Sequence, residues 1–169
     1  VLGIHTTADN KEAAKAEIVM LGVHPDAHEA IINEIKDVIS DDTIIWTIAA
    51  GITLADMEKY FGKKVKVVRT MPNTPALVKE GMMGICGNNQ VSADELMMVS
   101  NLCAGFSKVE TVTEPMLDVV TAVSGSSPAY VFMFIEAMAD AAVEGGMPRK
   151  QAYTFAAQAV LGSAKMVSE

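Results

Sequence analysis

Ser124-Gly-Ser-Ser-Pro-Ala-Tyr-Val-Phe-Met-Phe-Ile-Glu-Ala-Met-Ala-Asp-Ala-Ala-Val-Glu-Gly-Gly-Met-Pro148 is the stretch around which the rest of the chain is organised. Its Ser/Gly cluster turns the backbone, and Pro128 suits the first helical position behind a Ser127 cap. From there to Glu144 the residues are apolar or small, interrupted only by Glu136, Asp140 and Glu144. Acids spaced by four share one stripe of a helix. The remaining surface is hydrophobic or Ala, so a core helix buried on most sides is expected. A membrane span is not, because three carboxylates interrupt the run and Gly145-Gly146 ends it short of the usual ~20 apolar residues. Pro148 then opens a second helix, with Ala152, Phe155, Ala156, Ala159, Val160 and Ser163 on one face.

Upstream of this pair the pattern alternates strand and helix. Residues 16–23 form a continuous apolar run, as in a parallel strand buried on both faces. Pro25 ends it, and Asp26 is placed to cap a helix with apolar positions at 31, 32, 35, 38 and 39. Residues 43–48 read as a second strand, closed by Ala49-Ala50-Gly51. Thr53 with Asp56 makes a capping box for a short helix that stops at Gly62. A third strand at 65–68 leads into Met71-Pro-Asn-Thr-Pro75, whose two prolines predict an extended, stiff loop. Further strands are expected at 82–86 and 106–112. Between them, a helix opens at the Ser92/Glu95 box and is capped by Gly105. Val1-Leu2-Gly3-Ile4 also reads as a strand. After Glu114 no strand signal remains, so the division falls between residues 1–112 and 113–169.

The composition narrows the possible roles. The chain has 169 residues, half of them hydrophobic, and a net charge of −8, which argues for a packed core and against a nucleic-acid surface. Lys63, Lys64, Lys66 and Arg69 form the one basic cluster and read as a solvated strand end. The two cysteines, Cys86 and Cys103, have no metal-site spacing and read as buried reduced thiols of a cytoplasmic protein. No targeting sequence is visible. A metal reading of His24 and His28, four apart, is disfavoured by Pro25 between them and by the lack of a third ligand. The acid stripe reads as a solvated or Lys/Arg-paired face, because like charges at that spacing repel only weakly.

In an alternating α/β sheet, ligands bind outside the carboxyl ends of the strands. That rule selects three loops: residues 22–25, 49–51 and 71–75. Each is made of small residues or prolines, which let a flat ligand approach the backbone. The glycine fingerprint G-x-G-x-x-G after a first strand does not occur in the chain.

At these residues the chain resembles pyrroline-5-carboxylate reductase. The resemblance rests on Met71-Pro-Asn-Thr-Pro75, Thr47-Ile-Ala-Ala-Gly51 and Val123-Ser-Gly-Ser-Ser-Pro-Ala-Tyr130 through Gly146-Met-Pro-Arg149, in matching order and spacing. It implies an α/β fold, a Rossmann-like doubly wound sheet followed by an all-α dimerisation domain. The implied reaction is reduction of 1-pyrroline-5-carboxylate to L-proline by NADPH or NADH. Carried over by position, Gly22, Val23, His24 and Pro25 cross the cofactor, while Ile48, Ala49 and Ala50 lie beside its ribose and nicotinamide. Asn10 matches an Asn near the cofactor, and Glu114 an acidic position at the substrate pocket. His24 stands where the family usually has Lys.

The same resemblance makes the chain a piece of a longer enzyme. The glycine fingerprint would precede it and a substrate-carboxylate loop would follow it, so the isolated chain is expected to be inactive. The chemistry fits so plain a site: a protonated imine is already electrophilic, and hydride transfer needs neither metal nor covalent nucleophile, only two apposed rings and excluded water. A β-hydroxyacid dehydrogenase-like reductase would share the architecture but should carry a Lys in its first interdomain helix, and the 128–144 helix has none. A non-catalytic oligomerisation module is the third alternative. The width of the apolar face on 128–144 predicts a homodimer through the helical half.

Overall fold

The computed structural model describes residues 3–169, which divide into two compact units, one ending at Gly125 and the other spanning Ser126–Glu169. The first unit holds α1 (Asn10–Ala13), β1 (Ile18–Leu21), α2 (His28–Ile35), β2 (Ile44–Thr47), α3 (Leu54–Phe61) and β3 (Lys66–Met71). It continues with β4 (Gly81–Gly87), α4 (Ala93–Cys103), β5 (Ser107–Thr111), α5 (Met116–Val120) and a π-helical turn at Thr121–Gly125. Of the strand expected at the N-terminus, Val1 and Leu2 lie outside the described residues, and Gly3 and Ile4 join no strand.

The five strands run in sequence order, β1-β2-β3-β4-β5. The first three are parallel, β4 is antiparallel to β3, and β5 is parallel to β4. Alternate side chains supply two faces, as the period of a strand requires. Leu21, Ile45, Val67 and Cys86 pack with Ile32, Ile35, Met57 and Phe61 of α2 and α3. Ile44, Trp46, Val68, Met83 and Ile85 pack with Val99 and Cys103 of α4. Helices thus cover both sides of a Rossmann-like sheet, the fold class expected from the sequence.

Local signals hold where they involve near neighbours. Both capping boxes are formed, Thr53 with Asp56 and Ser92 with Glu95, and Gly62 closes α3 at φ +65°. Elsewhere the ends differ. Asp26 caps nothing; it lies inside a 3-10 turn, Pro25–Ala27, that carries the chain into α2. That helix stops at Ile35, and Ile39 is buried beyond its end. The α4 helix ends at Ala104 rather than Gly105. The loop after β3 is extended only to Asn73, because Pro75 lies in the first turn of a 3-10 helix, Thr74–Val78. Proline is tolerated there since its missing N–H would have no partner.

The basic cluster is corrected more sharply. Arg69 is buried, with a side chain only 6 % exposed, and Lys66 is held by Glu95 at 2.7 Å. Buried charges persist only when paired, and both are.

The second unit is two helices, α6 (Ser127–Glu144) and α7 (Arg149–Ser168), joined through Gly146 at φ +93°. The first begins at Ser127 itself, with Pro128 in its opening turn. Ala139, Ala152 and Ala156 form the buried seam, letting the two backbones approach closely. Phe155 faces outward. The buried core helix expected for α6 is not what one chain produces. Tyr130, Phe132, Met133 and Phe134 are all more than half exposed, because α7 alone covers a single stripe. The acid stripe is exposed as expected, with Asp140 paired to Arg149. By length and composition alone, the stretch Met116–Glu144 is apolar enough to cross a membrane.

Candidate functional site

The register of the parallel strands sets the site. Leu21 of β1, Thr47 of β2 and Arg69 of β3 lie level across the sheet. The loops that follow those strands therefore leave one edge, the carboxyl edge where ligands bind in this architecture.

The loop after β1 starts at Gly22 and Val23, and its backbone is extended at His24 (φ −58°, ψ 146°) before Pro25 turns it. The His24 ring is exposed and sits 3.4 Å from the Asp26 carboxylate. Asn10 is brought beside this loop. With Ala13, Ala14, Gly22, Val23 and Ile31 it lines a small cleft of about 120 Å³, and its amide donates to Glu34 at 3.0 Å.

After β2 the chain offers almost no side chain. Ile48 is half-buried, Ala49 is buried and Ala50 is exposed. Gly51 follows at φ +78°, a left-handed value that a β-carbon disfavours. A flat ligand at this edge would meet backbone and methyl groups.

The loop after β3 is held by Asn73. Its amide nitrogen donates to the Ser124 carbonyl at 3.0 Å, and its Oδ1 accepts the Met82 N–H at 2.9 Å. The Met71-Pro-Asn-Thr-Pro75 loop is thereby fastened both to β4 and to the turn after α5. Gly125 is tight against Met71, since a β-carbon there would come within 3.0 Å of the Met71 methyl.

Glu114 sits below this edge. Its Oε1 accepts the Leu54 N–H at 2.7 Å, at the start of α3, and the Arg69 guanidinium at 3.2 Å. A second carboxylate, Asp118, stands 3.7 Å from Arg69. The Glu114 carboxylate thus bridges the N-terminus of α3 and a buried cation.

Three residues join the site that the sequence presents only as a disfavoured metal ligand (His28) or as parts of quoted motifs (Thr47 and Asn73). His28 is fully buried, with Nδ1 3.2 Å from the His24 carbonyl and Nε2 3.0 Å from Thr47 Oγ1. The available signal was weak: a His on the apolar stripe 28, 32, 35 of α2 and a lone hydroxyl ending the apolar run of β2. Among the described residues no group of three or more His, Cys, Asp or Glu could hold a metal ion.

Comparison with known proteins agrees with this geometry. The family described as pyrroline-5-carboxylate reductase dimerisation matches residues 114–169. A pyrroline-5-carboxylate reductase of Escherichia coli (strain K12) is 49 % identical over 168 residues, covering 99 % of this chain and 62 % of that protein. One from Arabidopsis thaliana is 36 % identical over 168 residues, with 99 % and 60 % covered. Among solved structures, a Plasmodium falciparum pyrroline carboxylate reductase with NADP bound superposes at a TM-score of 0.90 and 32 % identity. It is matched over 96 % of this chain and 62 % of that one. The Coxiella burnetii pyrroline-5-carboxylate reductase also gives 0.90, at 35 % identity over 97 % and 62 %. The chain therefore spans about three fifths of the length of these relatives. Over the whole of that span, in sequence and in fold, the chain is similar to pyrroline-5-carboxylate reductases.

Proposed function

We propose that the protein of which this chain forms at least a part reduces 1-pyrroline-5-carboxylate to L-proline with NADPH or NADH, in the cytoplasm. The observation that carries this is the 49 % identity across 99 % of the chain, coupled to a carboxyl edge built for a flat ligand. The cofactor would supply the hydride, delivered to the carbon of the protonated imine, whose nitrogen already carries its proton. Gly22, Val23, His24 and Pro25 would cross the cofactor, and Ile48, Ala49 and Ala50 would bear on its ribose and nicotinamide. The fit test is Ala50: exposed, small and followed by a left-handed glycine, it leaves room for a ring against the backbone. Asn10 would close the same side through the cleft it shares with Gly22 and Val23. Glu114 would serve the substrate side, oriented by the Leu54 N–H and Arg69.

The working division falls at 112/113, with 1–112 for the cofactor and 113–169 for assembly and substrate. Its seam is not a break in packing, since Leu117 is buried in the sheet core. Assembly would be a homodimer through α6 and α7. Phe134, Met138, Ala159, Val160, Ser163 and Val167 line an apolar groove of about 440 Å³ that a second copy would fill.

The test is Ala50→Leu in the full-length protein, assayed with pyrroline-5-carboxylate. The cofactor KM should rise at least about tenfold while Tm is unchanged, because an exposed methyl carries little packing energy. A fall in Tm with an unchanged cofactor KM would make Ala50 a packing residue and remove the assignment.

A further inference from the structure

His28 is the buried titratable group that the proposed chemistry leaves without a task. It sits in the first turn of α2, is fully buried, and uses both ring nitrogens. The direction of its hydrogen bonds follows from the partners. A carbonyl only accepts, so Nδ1 of His28 donates to His24 O across 3.2 Å. With that proton on Nδ1, Nε2 keeps a lone pair and accepts the Thr47 hydroxyl at 3.0 Å. Thr47 Oγ1 in turn accepts the Ala49 N–H at 3.2 Å. One polarised chain therefore runs from the loop after β1 to the loop after β2.

The chain extends to the third strand. The Thr70 hydroxyl donates to the Thr47 carbonyl at 3.4 Å and accepts Trp46 Nε1–H at 2.8 Å. Thr47 is fully buried and Thr70 almost so, one residue before the end of β3. Buried polar networks of this kind fix geometry when each member is satisfied. A helix that only needed to pack against β2 would be served by Leu or Ile at position 28.

We propose that His28, acting through Thr47, is a positioning residue that sets the spacing between the His24 carbonyl and the Ala49 backbone, and so the width of the slot for the nicotinamide nucleotide. This rests on reading those two loops as the nucleotide face. His28 touches neither ligand nor reacting atoms; it holds two loops that do.

The test uses the full-length protein and the variants His28→Leu, Thr47→Val and the double substitution, with Ala50→Leu as the control for the loop reading. NADPH and NADH binding is titrated by fluorescence, alongside the KM for pyrroline-5-carboxylate and Tm. Each single variant should weaken nucleotide binding by about tenfold, the scale expected for a displaced contact. The KM for the imine should stay within about twofold, and the double variant should be no worse than either single one, because both cut the same chain. A merely structural role would lower Tm and leave nucleotide affinity alone, which overturns the proposal. Single effects that multiply in the double variant overturn it as well. Should His28→Leu fail to fold, Thr47→Val decides the matter, and an unchanged affinity there also overturns it. If Ala50→Leu leaves nucleotide affinity untouched, the loop reading itself is wrong, a result separable from failure at His28 alone.

Discussion

Arg69 and Glu114, 45 positions apart in the chain, meet at 3.2 Å with the guanidinium almost fully buried. The pair ties the middle of the sheet to the segment after β5, and Glu114 also takes the first N–H of α3. Removing one partner strands the other. Arg69→Met should destabilise the first unit by about 2–4 kcal/mol, and Glu114→Gln by less, since its amide oxygen still accepts from Leu54. Denaturant unfolding of the full-length protein measures both, and a change under ~0.5 kcal/mol for Arg69→Met would mean the pair is dispensable.

A pH effect is expected at the other end of β3. Glu95 is held down to about 2, first by the Lys66 ammonium and then by the Ser92 N–H of the capping box. Its ordinary value is 4.5, so the folded state is favoured by this group above that pH and loses the benefit as pH falls toward 2. Comparing wild type with Glu95→Gln, the stability gap should be full at neutral pH and close progressively through that window. A gap that is independent of pH would contradict the assignment.

Burial pushes the Cys86 and Cys103 thiols up to about 11 each. The thiolate is the reactive form, so a maleimide at pH 8 should leave both untouched in the native protein and modify both in guanidinium. Native labelling faster than unfolding would show that one of them is accessible.

Assembly is tested at Phe134, which is exposed beside the apolar groove of α6 and α7. Light scattering on the full-length protein should give a dimer or a larger even assembly, and Phe134→Glu should dissociate it. A monodisperse wild-type monomer at micromolar concentration would refute the interface.

How far the sequence could be read depended on the range of the interaction. Thr53 with Asp56, and Ser92 with Glu95, act across three residues, so their boxes were visible in the string. The carboxyl-edge loops were visible because strand ends carry punctuation such as Gly51 and Pro72. Arg69 was misread as solvated because its partner lies across the sheet, and charge alone does not announce burial. Helix α6 was legible as a helix apolar on most sides, and the width of that face pointed to a second copy for its cover. Its composition says how much apolar surface it has, while the source of cover depends on other elements, and one chain supplies only α7. The pairing of His28 with Thr47 was not foreseen because a His on an apolar stripe and a Thr in a strand have many ordinary uses.

Gly51 carries one more consequence. It takes φ +78°, where a β-carbon is disfavoured, and the Ala49 N–H is tied back to the Thr47 hydroxyl, so the turn after β2 is already hydrogen-bonded in place. If the proposed nucleotide binds at this edge, it would spend little free energy on ordering the loop, and affinity would be set by contact and desolvation rather than by folding on arrival. Association at this edge should then be a single fast phase proportional to nucleotide concentration, without the slow plateau that marks a loop that must first rearrange.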